Sequence, residues 1–322
     1  MRILVVVLGR LGDMVLATPM FSTIKRKYPD SELFLLAGEH NHHIIKGNPN
    51  LSDIYVYEKN PIKIIKLFLK IRRMKFDYLI DPKDHYSNES SLIAKFSKAI
   101  HKIGFNKENT NTFDITLDND VINYDLHFTE RCLKSLKYLG VEPFSVIPKP
   151  EIIVNEQIDK EITEKLNGLR DFILINTSSN SEFRMWGDEN WYNFISKISQ
   201  NNTLVVIYQK DRINFIIELL SKNIQVVVIE SNNIFEAVSI IKCAKMLITP
   251  DTSLVHIASA FNVPVLGLYI SNQANFKKFY PLSDNHEVVH SPDEVVGIKS
   301  ITVDDLYYGF IRLISKIDRS SI

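Results

Sequence analysis

The chain has 322 residues, a length typical of about two domains. Hydrophobic residues make up 45% of it and charged residues 24%, which excludes a mainly disordered or fibrous chain. The 38 basic and 38 acidic side chains cancel, so bulk charge does not favour nucleic acid as a partner. This balance hides an asymmetry, because residues 1–150 hold 22 basic and 17 acidic side chains, a net of +5, whereas residues 151–322 hold 16 and 21, a net of −5.

In the first half, apolar runs rich in β-branched residues alternate with helical segments. Predicted strands cover residues 3–8, 32–37, 53–57, 78–81 and 102–105. Predicted helices cover residues 13–28, 61–75, 90–100 and 128–139. This alternation is typical of βαβ units, which build a parallel sheet.

Three prolines, Pro143, Pro148 and Pro150, then interrupt the alternation, and we place a domain boundary between residues 147 and 148. The pattern restarts with predicted strands at 172–176, 203–208, 226–229, 246–249 and 265–269. Predicted helices cover residues 190–200, 211–220, 235–243, 253–261 and 303–317.

The predicted fold class is α/β, with two Rossmann-like, doubly wound parallel-sheet domains at residues 1–147 and 148–302. The terminal helical segment, residues 303–322, is expected to pack back toward the N-terminal domain. Ligands of such sheets bind at the carboxyl ends of the strands, so the cleft between two facing sheets is the expected site.

No segment has the architecture of a signal peptide, and no apolar run approaches the ~20 residues of a membrane span. The only cysteines, Cys132 and Cys243, are too few for a disulfide framework or a zinc site and fit a reducing compartment. We therefore predict a cytoplasmic protein.

The first candidate site is the loop after the first strand, which contains Gly9, Arg10, Gly12 and Asp13. Its glycines allow backbone to approach a ligand closely. The loop is neither a dinucleotide fingerprint, since the third glycine is missing, nor a P-loop. Asp13 lies near a helix start, where free N–H groups stabilise a carboxylate, so a simple helix cap and a functional acid are equally supported.

Two further candidate sites lie in the second half. Asp251, Thr252 and Ser253 follow a strand and open a helix, whose N–H groups suit a diphosphate, although a cap without ligand explains them too. His256 on that helix is expected to be packed rather than ligand-binding. The hydroxyl-rich loop 176–180, with the cation Arg184 after it, is a further phosphate-binding candidate, the alternative being a solvated loop.

These segments together resemble glycosyltransferase family 9, the ADP-heptose:lipopolysaccharide heptosyltransferases. The opening segment 3–29, the block 249–260 and the stretch from Arg184 to Trp191 are similar to the motifs of that family. Smaller similarities occur at residues 76–81, 103–105 and 130–140, so the resemblance runs nearly end to end.

The resemblance implies a GT-B fold and an inverting, metal-independent sugar transfer without a cofactor. It implies that Asp13 is the general base, beside an acceptor-side loop with Gly9, Arg10 and Gly12. The donor-binding residues that it implies are Ser178, Ser179, Arg184, Asp251, Thr252 and Ser253. The expected partners are an ADP-linked nucleotide sugar, bound by the C-terminal domain, and a lipopolysaccharide core or other glycolipid acceptor, bound by the N-terminal domain.

Chemistry agrees with these roles, because an inverting displacement needs one base and a stabilised leaving diphosphate. An Asp-x-Asp spelling, as in metal-dependent transferases, occurs at Asp118-Asn119-Asp120, but it falls outside the predicted donor domain.

Four departures from the family pattern lie in the donor site. Ser253 replaces a glycine, Arg184 replaces a lysine, 176–178 replaces a His-Pro-Gly opening, and 208–211 lacks a glycine-rich turn. Two alternatives therefore stay open: a transferase of the same fold that uses another nucleotide sugar for O-antigen or capsule, and a catalytically degenerate protein that only binds glycan or nucleotide.

Seven basic residues crowd around an apolar helix in the Lys59–Lys75 region. Such a run is expected on an ordinary solvated surface helix. It also fits a patch that contacts the cytoplasmic face of the inner membrane or a phosphorylated acceptor.

Overall fold

A computed structural model of the chain describes residues 1–83, 85–107, 110–117, 126–142 and 144–320. The Asp118–Asp120 segment and Pro143 lie outside these residues. The chain divides into two compact units, one formed by Met1–Ile153 with Lys277–Phe279 and the other by Val154–Phe276 with Tyr280–Ile322. No helix in the described ranges is both long enough and apolar enough to cross a membrane.

The first unit is built on a six-stranded sheet in the order β3-β2-β1-β4-β5-β6, and all its pairings are parallel. Its strands are β1 (Arg2–Val7), β2 (Glu32–Gly38), β3 (Asp53–Tyr57), β4 (Tyr78–Ile80), β5 (His101–Gly104) and β6 (Ile115–Thr116). Its helices are α1 (Leu11–Lys27), α2 (Pro61–Met74), α3 (Asn88–Phe96) and α4 (Phe128–Lys134).

The central strand β1 explains why the first apolar run has no polar alternation. Ile3 to Val7 are all buried, and Val5 pairs with Leu35 on one side and with Ile80 on the other. A strand covered on both faces reads as a continuous apolar run. Because β1, β2 and β4 are parallel, the loops that follow them emerge at one edge of the sheet.

The second unit repeats this plan with a parallel sheet in the order β12-β11-β10-β7-β8-β9. Its strands are β7 (Phe172–Asn176), β8 (Leu204–Tyr208), β9 (Val227–Glu230), β10 (Ala244–Pro250), β11 (Val265–Tyr269) and β12 (His286–His290). Helices α5 (Glu156–Lys165), α6 (Asp188–Ser199), α7 (Ile213–Ser221), α8 (Ile234–Lys242), α9 (Ser253–Ala260), α10 (Gln273–Phe279) and α11 (Val303–Ser320) follow the proline cluster.

The C-terminal helix α11 buries Leu306, Phe310 and Leu313 and packs on β11, β12 and α6. It is part of the second unit, because its apolar stripe completes the core of the second sheet. A return of this helix toward the first unit stays a prediction.

Three helices and strands after the proline cluster escaped sequence analysis: α5, α10 and β12. Helix α5 buries only Ile162, so its apolar period is weak. Strand β12 is an edge strand with a single buried residue, and α10 buries none. Residues 128–139, predicted as one helix, form α4 and then a 3-10 turn that ends at Gly140, whose φ is +70°.

Candidate active site

The loop between β1 and α1 holds Asp13 in the first turn of the helix. The Asp13 Oδ2 accepts a hydrogen bond from the backbone N–H of Arg10 at 2.6 Å. This is the helix-capping geometry that the local sequence predicts. The Asp13 side chain is nevertheless only half-buried, so capping leaves the carboxylate within reach of a substrate.

Gly9 is the reason that this carboxylate fits. A Cβ atom added to Gly9 would lie 2.1 Å from Asp13 Oδ2 and 2.9 Å from Asp13 Cγ, far inside van der Waals contact. Only a glycine at position 9 allows the carboxyl group to lie directly on the loop backbone. The sequence led us to expect that a ligand approaches the backbone at Gly9 closely. In the structure, the side chain of Asp13 makes that approach.

A residue that sequence analysis missed, Asn41, fixes the other side of this loop. Its side chain is fully buried, and its Nδ2 donates to the carbonyl oxygens of Val7, at 3.1 Å, and Gly9, at 2.8 Å. Its Oδ1 accepts from the N–H of Gly38 at 2.9 Å. The loop after β2 therefore holds the loop after β1 in place. The one signal in the sequence is an asparagine just after a strand, which is common in ordinary turns.

Helix α4 brings a buried thiol close to this loop. It packs on α1, where the Thr129 hydroxyl donates to the Leu16 carbonyl at 2.9 Å. Burial raises the pKa of the Cys132 thiol, and the negative charge of Asp13 raises it further. Cys132 is therefore an inert thiol that lies within electrostatic range of Asp13. The neighbouring Arg131 is only 7% exposed.

Asp81, which follows β4, is a second carboxyl group at the same edge of the sheet and, unlike Asp13, is buried. It is 5% exposed, and burial raises its pKa above the ordinary range. The backbone N–H of Lys83 donates to Asp81 Oδ1 at 3.1 Å and opposes that rise without cancelling it. Sequence analysis noted Asp81 only as part of the 76–81 motif.

In the second unit, the candidate residues follow two neighbouring strands. Ile175 of β7 pairs with Ile248 of β10, so the loops after these strands emerge side by side. The Asn176 Nδ2 joins them by donating to Thr249 Oγ1, at 2.9 Å, and to the Ser178 carbonyl, at 3.0 Å. The structure thus brings together the loop with Ser178 and Ser179 and the turn with Thr252 and Ser253.

Arg184 and Asp251 form an ion pair at the same place. Arg184 Nη2 lies 3.1 Å from Asp251 Oδ2, and Arg184 Nη1 donates to the Asp251 carbonyl at 3.0 Å. The Asp251 side chain is 8% exposed and that of Arg184 is 24% exposed, so the pair is shielded on one side and open on the other. Burial first, and then the charge of Asp251, raises the pKa of the adjacent Tyr269 hydroxyl.

Two distant contacts hold Arg184 in place. The indole N–H of the buried Trp186 donates to the Ile301 carbonyl at 2.8 Å. Gly297, with a φ of +71°, packs against the 3-10 turn Glu182–Arg184, and a Cβ there would lie 2.3 Å from the Phe183 carbonyl oxygen. Only glycine meets both conditions at position 297. Sequence analysis did not single out this residue.

The hydroxyl groups around the pair differ in what they bind. Thr252 caps α9 by accepting from the N–H of Leu254 at 3.3 Å and lies 3.3 Å from the Thr249 hydroxyl. Thr177 Oγ1 and Ser178 Oγ are buried and have no hydrogen-bond partner within the described residues. A buried hydroxyl without a partner costs about 1–3 kcal/mol, so these two groups favour a ligand that supplies one.

Two other expectations concern His256 and metals. His256 is 4% exposed inside α9, which agrees with a packed side chain.

In the ranges that the structure describes, no group of three or more His, Cys, Asp or Glu side chains could hold a metal ion. Whether the reaction needs a metal stays a prediction.

Comparison with known proteins gives a family match. The model of glycosyltransferase family 9 (heptosyltransferase) matches residues 64–299. The lipopolysaccharide core heptosyltransferase OpsX of Haemophilus influenzae is 22% identical over 271 residues, which cover 81% of this chain and 77% of that protein.

Solved structures extend the likeness to the whole chain. The Escherichia coli ADP-heptose lipopolysaccharide heptosyltransferase II has a TM-score of 0.78 at 17% identity and covers 99% of this chain and 100% of its own. The Escherichia coli heptosyltransferase WaaC with ADP has a TM-score of 0.77 at 13% identity, covering 97% of this chain and 100% of its own. These matches confirm the resemblance and the GT-B fold class that the sequence predicts.

Proposed function

Because the chain belongs to glycosyltransferase family 9, the heptosyltransferases, we propose that it is an inverting, metal-independent enzyme that transfers heptose from ADP-heptose to a lipopolysaccharide core. One observation carries the proposal. The two candidate sites are complementary in chemistry, with a half-buried carboxylate held over Gly9 in the first unit and an Arg184–Asp251 pair amid hydroxyl groups in the second.

Asp13 is assigned the role of general base. As the acceptor hydroxyl oxygen attacks the anomeric carbon of the donor, its proton passes to the Asp13 carboxylate. The bond from that carbon to the diphosphate oxygen breaks on the opposite face, which inverts the anomeric configuration. The Arg10 N–H and the Gly9 contact orient the carboxylate, so little reorganisation is needed when the proton arrives.

The second site is assigned to the donor diphosphate. The N–H groups at the start of α9 and the hydroxyls of Thr252 and Ser253 present donors to its oxygens. Thr177 and Ser178 add two buried hydroxyls from the neighbouring loop. The Arg184 guanidinium neutralises part of the charge that grows as the bond breaks, and its ion pair with Asp251 fixes its plane. Such a set of donors stabilises the leaving group without a metal ion or a cofactor.

The assignment of ADP-heptose and of a lipopolysaccharide core rests on the relatives, one of which is a core heptosyltransferase and another of which was solved with ADP. A second candidate keeps the same base and phosphate site but uses another nucleotide sugar, for O-antigen or capsule. The specific observation in its favour is that Ser253 and Arg184 differ from the family pattern at the donor site. A degenerate binding protein is the third candidate.

The proposed place of action is the cytoplasm, at the inner face of the inner membrane, where a glycolipid acceptor is anchored. Contact with the membrane through the Lys59–Lys75 region is part of the proposal, because most of this region is exposed.

The deciding experiment measures nucleotide release from a panel of ADP- and UDP-linked sugars, with and without a truncated core acceptor. The proposal expects acceptor-dependent release from ADP-heptose, and calorimetry should give tighter binding of ADP than of UDP. Preference for UDP would leave the second candidate standing. Nucleotide binding without turnover on any pair would leave the degenerate binding protein.

A further inference from the structure

Helix α2 carries apolar side chains on two opposite sides. On one side, Leu67 and Ile71 are 8% and 0% exposed and join the core. On the other, Ile62, Ile65 and Leu69 are 66%, 60% and 49% exposed. Their spacing of three and four residues places them in one stripe along the helix. A helix that only covers the sheet needs the first stripe and gains nothing from the second.

The neighbouring helix α3 widens this stripe into a face. The rings of Phe68 and Phe96 stack with centroids 5.0 Å apart, which joins the two helices. Leu92 and Phe96, one turn apart on α3, are 47% and 44% exposed. We call Ile62, Ile65, Leu69, Leu92 and Phe96 the α2–α3 apolar face. Large exposed apolar side chains on two adjoining helices mark an interaction site more often than scattered single ones do.

The charged side chains of α2 are of one sign, whereas α3 carries Glu89 in its first turn and Lys95 in its last. Helix α2 contains five basic residues and no acidic residue. Two of the five have partners on β3 or next to it, since Lys70 lies 3.0 Å from Asp53 and Lys63 pairs with Glu58. Among the described residues, the other three form no ion pair. These are Lys66, Arg72 and Arg73, all exposed.

An exposed apolar stripe flanked by unpaired cations is the pattern of a helix that lies in a membrane interface. Anionic lipid headgroups complement the cations, while the apolar side chains reach the acyl boundary. A second copy of the chain fits less well, because a two-fold contact of this face with itself would bring the unpaired cations together. We therefore propose that the α2–α3 apolar face inserts into an anionic membrane surface. This inference rests on the proposed function, in which the acceptor is a glycolipid.

The expected strength follows from general values. Each lysine or arginine near an anionic surface contributes about fivefold to the partition coefficient. Reversing two of these charges is therefore expected to weaken binding by at least about tenfold, as is replacing two inserted aliphatic side chains by serine.

The test is sedimentation of the full chain with vesicles of phosphatidylcholine alone and of phosphatidylcholine containing one third phosphatidylglycerol. The variants are Ile65→Ser/Leu69→Ser and Lys66→Glu/Arg73→Glu. Matched controls on exposed positions of the second unit are Ile217→Ser and Lys160→Glu/Lys245→Glu, Ile217 being 59% exposed. The proposal expects the chain to bind the anionic vesicles, less at high salt, with at least about tenfold weaker binding in both α2 variants and unchanged binding in the controls.

Further measurements separate the other outcomes. Thermal unfolding followed by circular dichroism should be unchanged in the α2 variants, because these side chains are exposed. No binding of the unmutated chain, or equal binding of α2 and control variants, overturns the proposal. The proposal is also overturned if the unmutated chain is a dimer that does not bind vesicles and the Ile65→Ser/Leu69→Ser variant is a monomer. That result would assign the face to contact with a second copy. Vesicle binding needs no turnover, so an inactive chain that still binds contradicts the proposed function alone.

Discussion

The carboxylate of Asp13 occupies the space that any side chain on Gly9 would need, since a Cβ there would lie 2.1 Å from Oδ2. Asp13 is thus positioned by the absence of a Cβ atom at Gly9 and by the hydrogen bond that it accepts from the Arg10 N–H. The base proposed for the reaction and the glycine four residues before it therefore depend on each other. Mutation of both residues together can test this dependence.

We expect Gly9→Ala to lower kcat strongly, because the methyl group must displace the Asp13 carboxylate. The informative measurement is a double-mutant cycle with Asp13→Asn. If alanine acts by moving the carboxylate, Gly9→Ala will cost little further turnover in the Asp13→Asn background. Full, additive losses would mean that Gly9 acts independently of Asp13.

Asp13→Asn by itself is expected to lower kcat by roughly a hundredfold or more, the range for loss of a general base. Folding should persist, because the amide oxygen of asparagine can still accept the Arg10 N–H. Donor affinity, measured by calorimetry, should be close to that of the unmutated protein. The control is Asp30→Asn, at an exposed position of the same unit. Near-normal turnover of Asp13→Asn would remove the base assignment.

At the donor site, Arg184→Ala is expected to raise the donor KM by roughly ten- to a hundredfold, through loss of a charge-assisted contact worth about 1.5–3 kcal/mol. The acceptor KM should change little. Because Asp251 is buried, the substitution also leaves its carboxylate without its ion pair, which lowers stability. The double variant Arg184→Ala/Asp251→Asn relieves that second effect. A donor KM restored in the double variant would show that Arg184 acts only by neutralising Asp251.

Ser253→Asp tests the neighbouring turn. It puts a negative charge at the start of α9, where the diphosphate is proposed to bind, and should also raise the donor KM strongly. Circular dichroism serves as the folding control, since a carboxylate at that position suits the helix itself. An unchanged donor KM would place the diphosphate elsewhere.

Activity is expected to survive EDTA, since the proposal assigns the diphosphate charge to Arg184, to hydroxyl groups and to the N–H groups of α9. Initial rates with and without the chelator, at saturating donor and acceptor, are the measurement. A loss of activity that magnesium or manganese restores would show that a metal ion, rather than these residues, stabilises the leaving diphosphate.

Asp81 provides a prediction about stability and pH. Burial raises its pKa in the folded protein above the value of 3.8 for a free side chain, so the folded state keeps its proton where the unfolded state has lost it. The contribution of Asp81 to the free energy of unfolding must then fall as pH rises from about 3.8 through the folded pKa. Asp81→Asn lacks that dependence.

Urea unfolding of both proteins across that pH range measures the effect. The free energy of unfolding of Asp81→Asn, minus that of the unmutated protein, should increase with pH and then level off. Asp30→Asn, at an exposed position, should give no such trend. A flat difference for Asp81→Asn would mean that Asp81 titrates normally.

Much of the fold could be predicted from the sequence because buried strands and helices have recognisable patterns of apolar residues. The runs at β1 and β7 are continuously apolar because each strand has a neighbour on both sides and both faces covered. The loops that end them, at residues 9–13 and 177–179, could therefore be placed at strand ends and at helix starts. Elements with little buried surface, such as α5 and β12, left no such record and were missed.

The tertiary structure alone decided how the site residues are held. Asn41 reaches the carbonyl of Gly9 across 32 positions, Arg184 meets Asp251 across 67, and Gly297 packs on Phe183. Each of these contacts depends on the register of parallel strands and on the path of a loop, neither of which has a periodic signature. The sequence by itself determined which residue types stand at the strand ends. Strand pairing decided which of them touch. Residues far apart in the chain come within hydrogen-bond distance only when the strands that carry them pair in a fixed register.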